Sequence, residues 1–277
     1  MFPLQHRPLI INIAYSILGS YTDAEDVAQD VAEKWLKLDT QSIQNQKNYL
    51  IRLTVNHCLN QQKQQQRLQY KGPWLPEPVQ RHVLELDQVL EMRDLLNYEL
   101  TTQLSRLNPY ERAVFILKEA FEFPHQDIAQ VIEKSPDNTR QLLSRAKGKI
   151  KTQVPSSPIS AEDQAKAYQF AQHIQQGDLE KLIQLFKEDI TIYSDGGGKV
   201  TAALLPIVGA QKVGNFYLNI FQSLSSNTQA RFDEILGQPA ILFSENDRIW
   251  STMIFTLDAG KFTAIYSILN PDKLKNL

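Results

Sequence analysis

Apolar residues recur every three or four positions through the first half of the chain, a spacing typical of amphipathic helices. Ile13 and Ile17 lie in a first predicted helix that Gly19 should end. A second helix is predicted after Thr22, the expected N-cap, and a third from about residue 47 to residue 69. The pattern therefore predicts an all-helical N-terminal half.

The second predicted helix, residues 23–36, separates its apolar and acidic residues onto two sides. Val27, Val31, Trp35 and Leu36 are expected on the buried side. Acids near a helix N-terminus interact favourably with the helix dipole, which explains part of the acidic character. More acids are present than a capped helix start requires, so this side is a candidate surface for a partner.

Three short helices with clear caps are predicted between residues 107 and 151. Asn108 and Glu111 have the spacing of a capping box, and Ser135 should cap the third helix. The exposed side of that third helix is polar and basic, with no acid after Asp137. This arrangement suits a reader of the DNA major groove, although a basic helix face in an ordinary bundle is often only solvated. The candidate DNA contacts on this helix are Asn138, Thr139, Arg140, Gln141, Ser144, Arg145, Lys147 and Lys149.

The C-terminal half changes from helical to alternating patterns after a boundary rich in proline and serine at residues 152–160. Helices followed by strands indicate an α+β domain with a curved antiparallel sheet. The predicted helices lie at about 161–175, 182–186 and 212–224, and the strands at about 190–193, 230–235, 240–243, 248–257 and 262–268.

Composition narrows the function classes. The 277 residues suggest two domains or three small ones, and a net charge of −2 gives no global basic field. Cys58 is the only cysteine, so neither an intrachain disulfide nor a cysteine cluster for zinc can form. Neither a signal peptide nor a long apolar run is present, so we expect a cytoplasmic protein. No paired carboxylates, histidine base or metal cluster emerges, so no catalytic residue, cofactor or metal is expected.

The glycine-rich run Asp195-Gly-Gly-Gly-Lys199 lacks the spacing of a phosphate-binding P-loop. Pro206 also argues against a helix immediately after it. We therefore expect these glycines to allow a tight turn or the close approach of a partner.

Several motifs resemble one protein family. Tyr15-Ser-Ile-Leu-Gly-Ser20 followed by Asp23-Ala-Glu-Asp-Val-Ala-Gln-Asp30 resembles region 2 of the extracytoplasmic-function sigma factors, and residues 107–151 resemble region 4. A subgroup of these sigma factors carries a fused C-terminal SnoaL-like domain. Its linker and C-terminal domain are similar to Tyr70-Lys-Gly-Pro-Trp-Leu-Pro-Glu-Pro-Val79, Gln176-Gly-Asp-Leu179, Ser194-Asp-Gly-Gly-Gly-Lys199 and Asn270-Pro-Asp-Lys-Leu274.

The resemblance implies a multidomain fold with two all-α sigma domains followed by an α+β SnoaL-like cone. Region 2, a helical bundle, would cover residues 1–69, and a linker residues 70–105. Region 4, the helix-turn-helix, would cover residues 106–153, and the cone residues 154–277. The implied function is a bacterial RNA polymerase sigma factor, not an enzyme, that is regulated by its own C-terminal domain. The expected partners are the RNA polymerase core and promoter DNA, with no membrane. An unidentified small ligand or regulatory protein at the cone stays open.

The resemblance also assigns roles to residues outside the helix-turn-helix. The expected core polymerase contacts are Asp23, Glu25, Asp26, Gln29 and Asp30. The melted promoter strand would meet the loop 39–48 and the next helix, through Lys47, Tyr49 and Arg52. The expected interdomain regulatory residues are Trp74, Leu75, Pro76, Asp195, Gly196, Gly197, Gly198, Lys199, Asn270, Pro271, Asp272, Lys273 and Leu274.

The linker prolines fix a stiff, extended connection, and the apolar pair Trp74 and Leu75 needs cover. The segments 195–199 and 270–274 are expected outside the sheet core, as turns through which the cone docks on the sigma domains. Because the two partners share one chain, even a weak contact would form at high effective concentration.

Two other function classes fit parts of the sequence. One is a helix-turn-helix regulator whose C-terminal domain binds a small ligand. The other is an enzyme with an accessory DNA-binding part, which would need a buried acid or base facing a pocket. The acidic second helix and the Trp-Leu-Pro linker favour the sigma factor over both.

Overall fold

The computed structural model describes residues 2–39, 43–65, 70–93, 96–150 and 160–277. The chain divides into two compact units. The helical unit comprises Met1–Leu68 and Arg81–Pro155, and the cone unit comprises Gln69–Gln80 and Ser156–Leu277. Three expected features fall partly or wholly outside the described residues: the boundary near residue 153, the end of the third helix at residues 66–69, and residues 40–42 of the loop 39–48.

The helical unit contains eight helices within the described residues. They are α1 Arg7–Leu18, α2 Tyr21–Leu36, α3 Gln46–Gln65, α4 Leu90–Arg93, α5 Tyr98–Ser105, α6 Pro109–Glu119, α7 His125–Ile132 and α8 Pro136–Lys149. Short 3₁₀ turns lie at Leu4–His6 and Leu86–Gln88. Helix α5 packs inside this unit, although residues 98–105 were expected to belong to the linker.

The caps account for most helix boundaries. Gly19 ends α1 with a left-handed φ of 72°, and Asn108 and Glu111 form both halves of the predicted capping box. Two expectations for α2 are wrong. Its N-cap is Ser20, whose side chain accepts from the Asp23 amide, because the helix begins before Thr22. Leu36 is 62% exposed, because it follows Trp35 by one position and so points away from the buried side.

Helix α1 is the centre of the helical unit, since every residue from Pro8 to Leu18 is buried. Its C-terminal carbonyl groups lack partners within the helix. Arg112 of α6 donates to the carbonyl of Ile17, and also to those of Ser105 (2.8 Å) and Leu107 (3.3 Å). Burial lowers the pKa of Arg112 to about 10, so its guanidinium stays charged at neutral pH. This side chain joins the first and second predicted helical domains within one unit.

In the cone unit, the described residues form three helices, a six-stranded sheet and a terminal 3₁₀ turn, together with the linker segment. Its elements are α9 Ala161–Gln176, α10 Leu179–Gln184, β1 Phe186–Asp195, β2 Ile207–Val208, α11 Ala210–Gln222, β3 Gln229–Ile235, β4 Gln238–Glu245, β5 Arg248–Asp258, β6 Lys261–Ile268 and the 3₁₀ turn Pro271–Lys273. Phe186, expected in a helix, instead begins β1, because its backbone pairs with Phe262 of β6.

The strand order is β2-β1-β6-β5-β4-β3. All neighbouring pairs are antiparallel except β1 and β6, which run parallel, so the expectation of a purely antiparallel sheet is wrong. Alternate residues of the strands face the helices and form one core with them. Phe170 of α9 lies at its centre, with ring centroids 5.1 Å from Phe255 and 5.4 Å from Tyr217.

The parallel pair determines where the functional segments meet. Parallel strands end at the same edge of a sheet, so the chain leaves β1 and β6 side by side. The amides of Leu269 and Asn270 both donate to the Asp195 carbonyl, at 2.8 and 2.9 Å. The glycine-rich run and the C-terminal Asn270–Leu274 segment are therefore neighbours.

Candidate functional sites

A buried carboxylate at the end of β1 binds the linker. Asp195 is fully buried, and its side chain accepts hydrogen bonds from Tyr70 (2.5 Å), the Leu75 amide (2.9 Å), the Gly197 amide (3.0 Å) and Lys273 (2.7 Å). These contacts lie within the cone unit, to which the linker segment 69–80 belongs. We call Tyr70, Trp74, Leu75, Asp195, Asn270 and Lys273 the linker clamp.

Lys273 provides the matching charge. Its ammonium group donates to the Leu75 carbonyl at 2.5 Å and lies 4.1 Å from the ring centroid of Trp74 and 5.0 Å from that of Tyr70. Burial lowers the pKa of Lys273, while the negative charge of Asp195 opposes this shift. A buried ion pair persists when further hydrogen bonds satisfy both charges, as the linker groups do here.

Glycine is required where the two C-terminal segments touch. Gly197 has a φ of 60°, and a Cβ atom there would lie 2.3 Å from the Asn270 amide nitrogen. The same Asn270 nitrogen donates to the Tyr70 hydroxyl at 3.1 Å. At Gly198 a Cβ atom would lie 3.1 Å from the Lys71 side chain. The run therefore forms a tight turn in close contact with the linker.

Further contacts extend the bound linker beyond the clamp. Asn276 donates to Glu77 at 2.6 Å, and Gln80 donates to Asp233 of β3 at 2.8 Å. These partners and Tyr70 were not identified as site residues from the sequence. Tyr70 lies inside the linker motif, which was the signal available, whereas Asp233 is separated from Gln80 by 153 positions.

The structure corrects one expectation for this site. Asp195 is the last residue of β1 and so belongs to the sheet, whereas residues 196–199 and 270–274 lie outside the strands as expected. Asp195 and Lys273 are both buried, because the Lys273 side chain reaches the Asp195 carboxylate. Leu75 is also buried, and Trp74 is half-buried. The contacts join the expected regulatory segments to the linker, and the regulatory role of these residues stays a prediction.

The third helix of the helix-turn-helix, α8, presents most of the predicted DNA contacts. Asn138, Arg140, Gln141, Ser144, Arg145, Lys147 and Lys149 are exposed. Thr139, predicted as a DNA contact, is instead fully buried, and its hydroxyl donates to the Pro136 carbonyl at 2.7 Å and contacts His125. Lys149 donates to the buried Glu111 at 2.7 Å, which gives this lysine a structural role as well.

Two other α8 cations also have acidic partners. Arg140 contacts Asp137 one turn earlier at 2.5 Å, and Lys147 contacts Glu119 at 2.9 Å. These pairs are at least partly exposed, so water screens them and their contribution to stability is small. Arg145 has no ion pair within the described residues, which makes it the most available cation of this face.

The predicted single-strand contacts at the start of α3 are already engaged inside the helical unit. Lys47 pairs with Glu91 of α4, and Arg52 lies 3.6 Å from Asp127 of α7. Tyr49 packs edge-on against Trp35 at 6.0 Å. Phosphate groups would have to replace these carboxylates for the two cations to bind DNA.

On α2, Asp26, Gln29 and Asp30 are exposed and lie one turn apart on one side of the helix. Asp23 and Glu25 are half-buried, and Glu25 accepts from Arg7 at 3.2 Å. The exposed Leu36 lies near the end of the same helix, and sequence reasoning missed it as a surface residue.

Asp30 accepts from His57 Nε2 at 3.0 Å, and His57 Nδ1 accepts from Lys34 at 3.1 Å. Burial and the Lys34 charge lower the pKa of His57, so the neutral ring bridges the two side chains. Among the described residues, no group of three or more His, Cys, Asp or Glu side chains could hold a metal ion. No described helix is long and apolar enough to cross a membrane.

Comparisons with known proteins agree with this layout. Residues 4–68 match the family described as Sigma-70 region 2, and residues 97–150 match Sigma-70, region 4. The chain is 27% identical to the probable ECF RNA polymerase sigma factor SigI of Mycobacterium tuberculosis, over 98% of this chain and 93% of that protein. It is 28% identical to the ECF RNA polymerase sigma factor SigJ of the same species, over 96% of this chain and 90% of that protein.

A crystal structure of the M. tuberculosis extracytoplasmic function sigma factor SigJ matches with a TM-score of 0.77 and 25% identity, covering 98% of this chain and 96% of that one. The region 4 match begins at residue 97, ahead of the boundary expected at residue 106, and it includes α5.

The buried pair of the linker clamp should behave differently from an exposed pair beside it. Asp195→Ala and Lys273→Met should each destabilise the cone unit by about 3–5 kcal/mol, because each leaves an uncompensated buried charge. The loss of stability in the double variant should be smaller than the sum of the losses in the two single variants. Chemical denaturation of the four proteins measures this cycle. Lys199 and Asp272, an ion pair with both side chains about half exposed, provide the control, since exposed pairs contribute about 0–1 kcal/mol. Additive losses at Asp195 and Lys273 would contradict the assignment.

Proposed function

Because the chain belongs to the extracytoplasmic-function sigma factors of RNA polymerase that carry a C-terminal SnoaL-like domain, we propose that this domain regulates promoter recognition through the linker. The observation that carries the proposal is the linker clamp, in which the cone unit binds the segment between sigma regions 2 and 4. As a sigma factor the protein acts by binding, in the cytoplasm with its polymerase. No catalytic residue, metal or cofactor is assigned.

Three surfaces of the protein have separate roles in transcription initiation. The acidic side of α2 binds the polymerase core, with Asp26, Gln29 and Asp30 as its exposed members. The start of α3 holds the melted promoter strand, where an aromatic ring and cations can stack on bases and pair with phosphates. Helix α8 reads the upstream element as duplex, because arginine and glutamine can pair with base edges in the major groove.

The linker matters because the two promoter elements must be contacted at once. The segment Gln69–Gln80 could span roughly 40 Å if fully extended. The clamp holds the linker backbone at Leu75. The length of linker that can extend between regions 2 and 4 is then shorter. The clamp therefore sets the distance that the two regions can reach, and its release or retention changes which promoters can be contacted.

Removing an α8 arginine should weaken promoter binding. Arg145→Ala should cost about 1–3 kcal/mol of affinity if the side chain pairs with a base edge, and Arg140→Ala should cost a similar amount. Fluorescence anisotropy of labelled promoter DNA with the assembled polymerase measures the change. Arg248→Ala, an exposed arginine of the cone unit, is the matched control. Wild-type affinity in both α8 variants would rule out this role for the helix.

Reversing charge on α2 should abolish polymerase binding while the fold stays intact. Asp26→Lys changes only the surface charge, whereas Asp30→Lys also removes the contact between Asp30 and His57. The Asp26→Lys, Asp30→Lys double variant should lose all binding. Co-purification with core enzyme in the absence of DNA tests this, with Glu180→Lys as the exposed control. Core binding by the double variant at moderate salt would show that polymerase binds elsewhere.

Opening the clamp should change promoter output. Asp195→Ala and Trp74→Ala should both alter transcription in vitro with core polymerase, in the same direction as removal of all residues after Val154. Lys187→Met removes a largely exposed ion pair with Asp258 in the same unit, leaves the buried pair intact and should transcribe like the wild type. If the truncated protein and both clamp variants give wild-type output on every promoter tested, the C-terminal domain has no regulatory role.

A further inference from the structure

The cone unit contains a cavity that is separate from the buried charges of the clamp. This partly open cavity of about 80 Å³ lies between α11, the inner face of the sheet and residues 201–203. Five aromatic side chains line it: Phe216, Tyr217, Phe221, Phe243 and Trp250. None of the described side chains that line it carries a charge. Such walls suit the apolar body of a small ligand.

The cavity also has hydroxyl groups at its sheet side. Tyr217 and Ser267 share a hydrogen bond of 3.1 Å, and burial raises the pKa of Tyr217, so its phenol stays neutral. Ser194 and Ser251 also line the cavity and are only 4% and 3% exposed. Within the described part of the chain, neither serine side chain forms a hydrogen bond. Both serines line the cavity, so their hydroxyls are available to a polar group of a ligand.

We propose that this cavity binds a small neutral alcohol or carbonyl compound with a body no larger than one ring. A charged ligand would be desolvated without a compensating charge, which is costly. Serine hydroxyls can both donate to and accept from an uncharged oxygen. A closed apolar cavity of about 150 Å³ holds benzene, so the smaller volume here takes a short apolar body or part of a ring, with the remainder toward the mouth.

The cavity and the linker clamp are formed by neighbouring residues of the same segments. Ser194 precedes Asp195 on β1, and Leu269, which also lines the cavity, precedes Asn270. Ala202 lines the cavity as well, and a Cβ atom on Gly196 would lie 2.9 Å from it. A ligand that shifts these strand ends shifts the groups that hold the linker. The ligand therefore alters promoter output, a step that rests on the proposed function.

Binding is tested on the full chain without polymerase or DNA, so its outcome is independent of the proposed function. Benzyl alcohol is the probe, with benzoate as its charged counterpart and toluene as its purely apolar one. Saturation-transfer NMR should show saturable binding of benzyl alcohol that is at least tenfold tighter than that of benzoate. The variant Ser194→Ala, Ser251→Ala should weaken benzyl alcohol several-fold and leave toluene unchanged.

A filled cavity provides the second test. Ser251→Leu should reduce the affinity for benzyl alcohol and toluene at least tenfold, whereas Ser226→Leu, at an exposed serine of the same unit, should not. If the filled variant fails to fold, the double alanine variant alone decides. Absence of saturable binding of both neutral probes overturns the proposal. So does wild-type affinity of the filled variant for both probes, or wild-type affinity of the double alanine variant for benzyl alcohol.

The coupling between the cavity and the linker clamp is tested in a separate experiment. It measures the effect of benzyl alcohol on transcription with the wild type and with Asp195→Ala. We expect a change in the wild type and none in the clamp variant. Binding without any change in wild-type output overturns the coupling. If Asp195→Ala alone changes transcription while neither neutral probe binds, the ligand site is wrong and the proposed function stands.

Discussion

The structure of the cone unit depends on one buried ion pair. Asp195 and Lys273 lie 2.7 Å apart where water is excluded, so neither charge is tolerable without the other. Both groups still have hydrogen-bonding capacity, and the linker supplies the partners through Tyr70 and the backbone of Leu75. A segment that is otherwise only a connection between two domains thereby becomes part of a third.

Arg112 has a comparable place in the helical unit. Its guanidinium binds the carbonyl end of α1 and two carbonyls that precede its own helix, so it joins regions 2 and 4. Arg52 of α3 contacts Asp127 of α7 and so also links regions 2 and 4. Acidic side chains therefore occupy positions where DNA phosphates are proposed to bind. Promoter DNA bound there as proposed would compete with these carboxylates for the same cations, and salt would weaken both interactions because the pairs are exposed.

Local features of the sequence predicted much of this structure. The capping box at Asn108, the cap at Ser135 and the end of α1 at Gly19 depend on a few neighbouring residues, which a sequence displays directly. Five strands of the cone unit, β1 and β3 to β6, also followed from alternation and turn residues. Glu133 ends α7 in a left-handed conformation, with a φ of 55°. Glycine adopts this conformation with less strain, so a glutamate at this position gives little indication of the turn in the sequence.

Features that depend on distant parts of the chain were not predictable in this way. The parallel pairing of β1 with β6 joins residues about 70 positions apart, and the burial of Asp195 follows from it. Thr139 was predicted as a DNA contact, but it is buried on the inner side of α8. Its hydrogen bond to Pro136 and its contact with His125, 14 positions away, hold it there.

The discontinuous make-up of the cone unit has a consequence for modular engineering. The unit is assembled from Gln69–Gln80 and Ser156–Leu277, which flank region 4 in the chain. A chimera joined near residue 153 would combine Asp195 and Lys273 from one parent with Tyr70 and Trp74 from the other. Transplanting the cone unit between relatives therefore requires two crossovers, one on each side of the linker segment, in addition to the C-terminal junction. The linker segment Gln69–Gln80 and the domain Ser156–Leu277 therefore have to be exchanged together.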